Sequence, residues 1–387
     1  EKEMPEFVQN LGQSPYRAKQ IINWIYKKYA ASSEEMTDLP KSLREKLLKT
    51  AFISNLKLLK KEISKDGAQK FLFELEDKET IESVLIPDKN RLTLCISSQV
   101  GCAMRCKFCM TGKIGLKRNL KAYEIVDQII SVQRMLTETK IPPSPPAFLL
   151  ASASHVARRG SRRKQEGGAR GDSSPSKITN IVFMGMGEPL HNFAEVTEAV
   201  RRIINLLGIS KRKITVSTAG IVRKIFELAG TGLQVNLAIS LNATTDRVRD
   251  TIMPINKKNP IKQLLQACRE FPLTPTRRIT FEYVFLEGIN DSKEDALRLV
   301  KLLKGIKSKV NLIPYNLIQE STSPSSFKRF DRTEELKPLR TPSEDKILFF
   351  QKILRTAGIT AIIRKSKGSD ISAACGQLRA SYFPKNS

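Results

Sequence analysis

Beyond residue 91 the chain alternates short apolar runs with amphipathic ones. TLCIS, ITNIVFMGM, KITVSTAG, LQVNLAISL, RRITFEYVFL and KVNLIPYN are set off by segments such as AYEIVDQIISVQRML and EDALRLVKLLKGI. The short runs read as strands and the longer ones as helices. Six strand-helix repeats predict parallel βα units closing into a barrel, so the fold expected is α/β, a partial (β/α)6 barrel. In such a fold the chemistry collects at the C-terminal ends of the strands.

The flanks follow other patterns. Residues 1–52 are helix-patterned: SPYRAKQIINWIYKKY brings Ile21, Ile22, Trp24 and Ile25 near one another, and TDLPKSLREKLL starts a second segment. A small N-terminal helical domain is expected there, with Trp24 in its core. Residues 53–90 form a connector, in which QKFLFELEDKETIESVLI reads as a β-hairpin turning at Asp77 and Lys78. The barrel domain then spans 91–366 and a C-terminal segment 367–387. Two stretches break the order. Residues 141–177 are rich in Pro, Ser, Gly and Arg without a sustained period, and are expected to be a mostly disordered insertion. Residues 318–342 form a second long loop.

Lys and Arg number 66 against 39 acidic residues, a formal charge of +27. Such an excess says nothing about fold but favours polyanionic partners, nucleic acid first. No apolar run approaches the roughly 18 residues that cross a bilayer, and the first residues lack the basic-then-apolar order of a secretory signal. The chain reads as cytoplasmic, with no membrane partner. Clustered cysteines in that compartment bind metal or do redox chemistry more often than they form a structural disulfide framework.

Four of the six cysteines lie within CISSQVGCAMRCKFC, residues 95–109, in a chain with two histidines. Cys102, Cys106 and Cys109 have the spacing C-x3-C-x2-C, on a loop just after the first barrel strand, where Gly101 eases the turn. Structural zinc takes four ligands, and no histidine is near to complete the set. Cys95, inside the strand and seven residues away, makes a poor fourth. An iron-sulfur cube held by three thiolates instead of four keeps one iron open for a substrate or cofactor.

That spacing is the hallmark of the radical S-adenosylmethionine superfamily. With FMGMGEPLHN, VSTAGI, AISLNA, NLIPYN and IIRKSKGSDISAACGQL following in order, the chain resembles the radical S-adenosylmethionine RNA methyltransferases of the RlmN and Cfr family. Within it the chain looks most like the RlmN type, which acts on carbon 2 of adenine. The similarity runs from the helical N-terminus to Gln377, apart from the two loops. The sister type, which methylates carbon 8, and a non-enzymatic zinc-containing RNA-binding protein remain as alternative readings.

The resemblance implies a 4Fe-4S cluster on Cys102, Cys106 and Cys109, and two molecules of S-adenosylmethionine per turnover. It implies that Cys375 takes a methyl group from the first. A radical derived from the second then activates that methyl toward carbon 2, which is electron-poor and does not attack a methyl electrophile. Cys95, by the same resemblance, releases the resulting adduct by forming a disulfide with Cys375, and Glu82 accepts the carbon 2 proton. Gly187 and Glu188 of GMGEP, Ser217, the segment Ser240, Leu241 and Asn242, and Asn316 are the matching cofactor positions. Many relatives have His where Asn242 stands, which puts a side-chain role there in doubt. Neither His155 nor His191 is expected to be the base, and Cys268 reads as a buried small apolar residue. The substrates implied are large-subunit (23S) ribosomal RNA and the anticodon loop of transfer RNA, gripped by phosphate contacts from Lys107, Lys113, Lys117, Arg118, Lys121, Arg364, Lys365 and Lys367. A flavodoxin-type protein is the implied electron donor.

Overall fold

The computed structural model describes residues 3–53, 56–138, 177–317 and 338–378. The insertion read at 141–177, apart from Lys177, and residues 318–337 of the second loop lie outside the described residues. Helices α1 (Met4–Asn10), α2 (Tyr16–Tyr26) and α3 (Lys41–Thr50) bury Val8, Ile21, Met36, Leu43 and Leu47 in a cluster of their own. Trp24 packs on that cluster; its Nε1 donates to Asp38 Oδ1 at 2.5 Å and the Lys28 ammonium sits 3.4 Å over its ring. The indole is thus engaged within the helical region.

Strands β1 (Lys57–Ile63), β2 (Gln69–Glu74), β3 (Thr80–Asp88) and β4 (Arg91–Cys95) form an antiparallel meander. The β2–β3 hairpin turns where the sequence indicates: Leu75 N–H donates to Glu79 O at 2.8 Å and Lys78 takes φ 68°. Pairing of β3 with β4 makes this meander part of the barrel sheet. A short ribbon, β5 (Gln99–Gly101) with β6 (Leu116–Asn119), brackets α4 (Met110–Ile114). Helix α5 (Ala122–Glu138) follows, and its Arg134 donates to the carbonyls of Tyr29 and Ala30 at 2.6 and 3.1 Å, which fastens the helical region to the barrel.

The remaining strands, β7 (Asn180–Phe183), β8 (Ile214–Thr218), β9 (Asn236–Ser240), β10 (Ile279–Phe285), β11 (Ser308–Pro314) and β12 (Thr360–Ile363), run parallel to β4. They alternate with α6 (Phe193–Asn205), α7 (Val222–Gly230), α8 (Asp246–Ile252), α9 (Ile261–Glu270), α10 (Lys293–Leu303) and α11 (Glu344–Thr356). The ten-stranded sheet ends at β1 and β12, which do not pair with each other, so the barrel is partial. It holds seven parallel strands against the six expected. The extra one, β12, is four residues long and pairs on one side only, too short to carry a period.

Side chains on a strand alternate between faces. Ile181, Phe183, Ile214, Val216, Leu237, Ile239, Phe281, Tyr283, Val310 and Leu312 belong to the main core. Their alternates, Thr215, Ser217, Ser240, Thr280, Glu282, Lys309 and Asn311, give the other face an unusual polarity for a parallel sheet. A face this polar, inside a barrel, is a lining and not a packing surface.

Candidate active site

The cysteine loop is fixed at three points. Gly101 has φ 75°, and a Cβ there would lie 1.8 Å from Gly115 O, so only glycine permits the approach. Cys102 N–H donates to Gly115 O at 2.9 Å, and Lys107 N–H to Ile252 O, the last residue of α8, at 3.0 Å. Cys109 N–H donates to Cys106 O at 3.1 Å, and Cys109 is the N-cap of α4. Cys102 is buried, Cys106 and Cys109 half-buried. Burial, with the charges of Cys109 and Glu188 adding to it, pushes the Cys102 thiol up to about 12. Burial also drives Cys106 well up, with Cys109, Cys102 and Glu188 adding to it.

Thiols that oppose one another's ionisation in this way require a cationic partner to be thiolates together. Among the described residues no three His, Cys, Asp or Glu side chains gather as they would round one metal ion. A four-iron cube makes no such demand, because it takes each thiolate on a different iron. A donor set of three mutually coupled thiols on one loop, with no carboxylate or imidazole among them, fits that group.

Cys375 reaches this loop from the far end of the chain. Met110 N–H, the first donor of α4 and an orphan within its helix, donates to Gly376 O at 2.7 Å. Thr111 Oγ1 donates to Leu378 O at 2.7 Å, Asn316 Nδ2 to Cys375 O at 3.2 Å and Gln377 Nε2 to Leu317 O at 2.9 Å. The same segment lies on Cys95: Ala373 and Leu378 share a buried cluster with Cys95, Val84 and Met186. Cys375 itself is exposed, Cys95 buried, and both are free thiols. Crowding by protein raises Cys375 to about 11, helped by the charge of Glu282 and opposed by Arg364. Burial drives the Cys95 thiol far up, and a charge on Cys375 drives it further.

Glu82 lies on β3, buried. Val84 is directly opposite Cys95 in the antiparallel register, so Glu82, two residues away along β3, shares the Cys95 face. Lys70 Nζ is 3.4 Å from its Oε1. His155 lies outside the described residues, and His191 Nδ1 is 3.0 Å from Gln99 Nε2.

The cofactor positions carried over from the motifs stand at or just past the ends of β7, β8, β9 and β11. Gly187 has φ 99°, and a Cβ on it would meet Gln99 at 2.6 Å. Glu188 is buried; its carboxylate accepts from Leu190 N–H at 2.9 Å and Ala219 N–H at 2.6 Å, and burial raises it to about 7 against those bonds. Ser217 and Ser240 are half-buried on the lining face. Leu241 N–H donates to Glu282 O at 3.1 Å. Asn242 has φ 57°, and its amide serves the fold: Oδ1 accepts from Val284 N–H at 2.8 Å and Nδ2 reaches Met253 Sδ at 3.2 Å.

The basic residues divide. Lys117 pairs with Glu79 at 2.7 Å, Arg118 with Asp77 at 2.5 Å and Glu124 at 2.8 Å, and Lys121 with Glu195 at 3.8 Å. Lys367 Nζ donates to Pro87 O. Exposed Lys113, half-buried Lys107 and exposed Arg364 and Lys365 are in no ion pair found among the described residues. Sequence reasoning passed over Glu282, buried on β10 beside Asn311, whose Nδ2 donates to Oε1 at 2.8 Å. Burial raises this carboxyl, while Asn311, Arg364 and Lys309 oppose the rise. Its signal was available: a lone acid at a lining position of the apolar run ITFEYVF. Arg249, fully buried on α8, was passed over as well; nothing in DRVRDTI singles it out.

Two family profiles match the chain: the ribosomal RNA large subunit methyltransferase N-terminal domain over residues 1–53 and the radical SAM superfamily over residues 173–300. A dual-specificity RNA methyltransferase RlmN of Geotalea uraniireducens is 44% identical over 380 residues, covering 98% of this chain and 94% of the relative. One from Geobacter sulfurreducens is 46% identical over 379 residues, covering 97% and 89%. A crystal structure of a radical SAM methyltransferase from Sphaerobacter thermophilus superposes with a TM-score of 0.82 at 37% identity, covering 98% of this chain and 97% of that one. No described helix is long and apolar enough to cross a membrane.

Proposed function

Since the chain belongs to the RlmN family of radical S-adenosylmethionine RNA methyltransferases, we propose that it methylates carbon 2 of a specific adenine in 23S ribosomal RNA and of an adenine in the tRNA anticodon loop. Cys102, Cys106 and Cys109 hold the 4Fe-4S cluster. Gly187, Glu188, Ser217, Ser240, Leu241, Asn242 and Asn316 hold S-adenosylmethionine, Asn242 through its backbone. When bound, these groups supply a carbon radical, the reagent that an electron-poor ring carbon accepts.

The protein side of the reaction falls to three residues. Cys375 carries the methyl carbon on its sulfur and delivers it to the adenine, which leaves protein and RNA joined. Glu82 takes the proton from carbon 2. Cys95 then attacks the Cys375 sulfur, and a Cys95–Cys375 disulfide forms as the carbon-sulfur bond breaks, the electron pair staying with the carbon, which takes up a proton to become the methyl group on the adenine. Two molecules of S-adenosylmethionine are used per turnover, and a one-electron protein donor of the flavodoxin type supplies reducing equivalents. The target adenine leaves its stack to enter the barrel mouth.

The observation that carries this reading is the docking of the Cys375 loop. Its backbone is bonded to the helix that follows Cys109, and its apolar residues pack on Cys95. The deciding experiment is mass analysis of nucleosides from ribosomal and transfer RNA of cells with and without this protein. 2-Methyladenosine that appears only with the protein is the expected result; 8-methyladenosine in its place, or no new nucleoside, overturns the proposal.

A further inference from the structure

One buried charge beside the cysteine loop has no task in the proposed reaction. Arg249, on α8, is fully buried and, among the described residues, the largest side chain to be so. Its guanidinium donates to Leu241 O at 3.0 Å, Asn256 Oδ1 at 2.9 Å, Ala219 O at 2.6 Å and Ser240 O at 3.0 Å, with Asn259 O at 3.5 Å. Every one of these acceptors is neutral. Asp246 and Asp250 stand behind Asn256, whose amide donates to them at 2.9 and 2.7 Å.

A neutral amide side chain can also bond to carbonyls, without the cost of taking a cation out of water. Burial pulls this guanidinium down to about 10, yet it stays charged at neutral pH. The fold therefore retains a cation that its own hydrogen bonds do not call for. Its surroundings show what it faces. Val248, Ile252 and Met253 pack with Cys102, Met104, Cys106 and Phe108, Ile252 O is bonded to Lys107 N–H, and charges on Cys106 and Arg249 favour each other. On the other side, Ala219 takes Arg249 on its carbonyl and Glu188 on its N–H, both at 2.6 Å.

Given a cluster on Cys102, Cys106 and Cys109, the assignment on which this inference rests, we propose that Arg249 is a positioning residue with a fixed charge. It clamps the ends of β8 and β9 that hold S-adenosylmethionine, and it offsets the negative charge of the thiolate-bound cluster. Three thiolates bring more negative charge than the oxidised core neutralises, and the electron that the cluster receives from its donor adds one more. Net charge and burial set the potential of such clusters. A cation held in place beside the cluster makes it easier to reduce.

A unit charge acting across one layer of side chains, at an effective dielectric of about 20, moves a one-electron equilibrium by about tenfold. The test is a potentiometric titration of the cluster-loaded protein, followed by electron paramagnetic resonance. Arg249→Met is expected to favour the oxidised state by about tenfold, a midpoint lower by about 59 mV, while Arg249→Lys, which keeps the charge, stays near wild type. A purely structural clamp moves cluster content and stability in both variants and leaves the potential alone, so a loaded Arg249→Met protein with the wild-type potential overturns the inference. Asp250→Asn approaches the same charge from the other side where Arg249→Met does not fold: it should raise the midpoint, and no change or a fall overturns the inference. A wild-type protein that assembles no iron-sulfur cluster overturns the underlying cluster assignment instead.

Discussion

The Cys375 loop hangs on a residue that tolerates no side chain. Gly376 has φ 84°, and a Cβ built on it lies 2.9 Å from Phe108 O, closer than real Cβ atoms approach backbone. In Gly376→Ala, the left-handed conformation alone costs about 1–2 kcal/mol. Relief of the contact shifts either Phe108 or Gly376, which loosens the 2.7 Å bond from Met110 N–H to Gly376 O, worth about 1 kcal/mol. Together these remove about 2–3 kcal/mol from docking, a fall of about 30- to 150-fold in the docked-to-undocked ratio. Met110 N–H reports on that ratio directly, because it begins α4 and its bond to Gly376 O stands in for a helical one. Hydrogen exchange at Met110, measured by mass spectrometry on peptides spanning 105–113, should speed up by about that factor, while amides of β8 to β11 keep their protection. RNA methylation falls with it. The melting temperature stays close to wild type, because the main core makes no use of the loop. Unchanged Met110 protection in Gly376→Ala would refute the claim that this contact holds Cys375, the proposed methyl carrier, in place.

Cys102→Ala, Cys106→Ala and Cys109→Ala should each abolish reductive cleavage of S-adenosylmethionine and the brown colour of the anaerobically loaded protein; substantial cleavage by any of them refutes the cluster assignment. Cys95→Ala should accumulate as protein covalently joined to RNA and Cys375→Ala should not, read as the intact mass after nuclease digestion; normal turnover by Cys95→Ala ends the proposed division of labour. RNA affinity should fall steeply with salt, since Lys and Arg displace counterions from phosphates. Lys107→Ala with Lys113→Ala should flatten that slope by about two, whereas Lys117→Ala should change it little, its ammonium being paired with Glu79.

Much of the site was legible because its signals are local. The cysteine spacing sits in eight residues, the strand-end motifs in six to ten each, and a hairpin turn announces itself through Asp77 and Lys78. Strand count was less legible: β1, KLLKKEI, mixes Leu and Ile with Lys and Glu at no period of two and β12 is a four-residue edge, so neither alternates visibly. The role of a charge was least legible. Arg118 and Arg249 look alike in sequence, each a basic residue in a polar segment. Arg118 turns out to be held by Asp77, 41 residues back, and by Glu124. Arg249 is held by carbonyls at 219, 240 and 241. Long-range partners decide whether such a residue grips RNA, braces a hairpin or sits beside a cluster, and short-range patterns carry no trace of them.

The two cysteines proposed to react, Cys95 and Cys375, divide along a line between rigid and movable structure. Cys95 ends a strand paired on both sides, to β3 and to β7, whereas Cys375 lies past the last strand on a loop held by a few hydrogen bonds. On the proposed roles, electrostatics puts their steps in order. Burial holds the Cys95 thiol protonated, and a thiolate at Cys375 holds it there more firmly, so the two do not ionise together. Alkylation of Cys375 turns its sulfur into a neutral thioether and removes that second obstacle. Cys95 therefore becomes a better nucleophile only after Cys375 has taken its carbon, which is when an attacking thiolate is of use. Attack on an unalkylated Cys375 would also need an oxidant to take up two electrons, whereas at the alkylated sulfur the breaking carbon-sulfur bond accepts the electron pair, so the disulfide forms only once the carbon has been delivered.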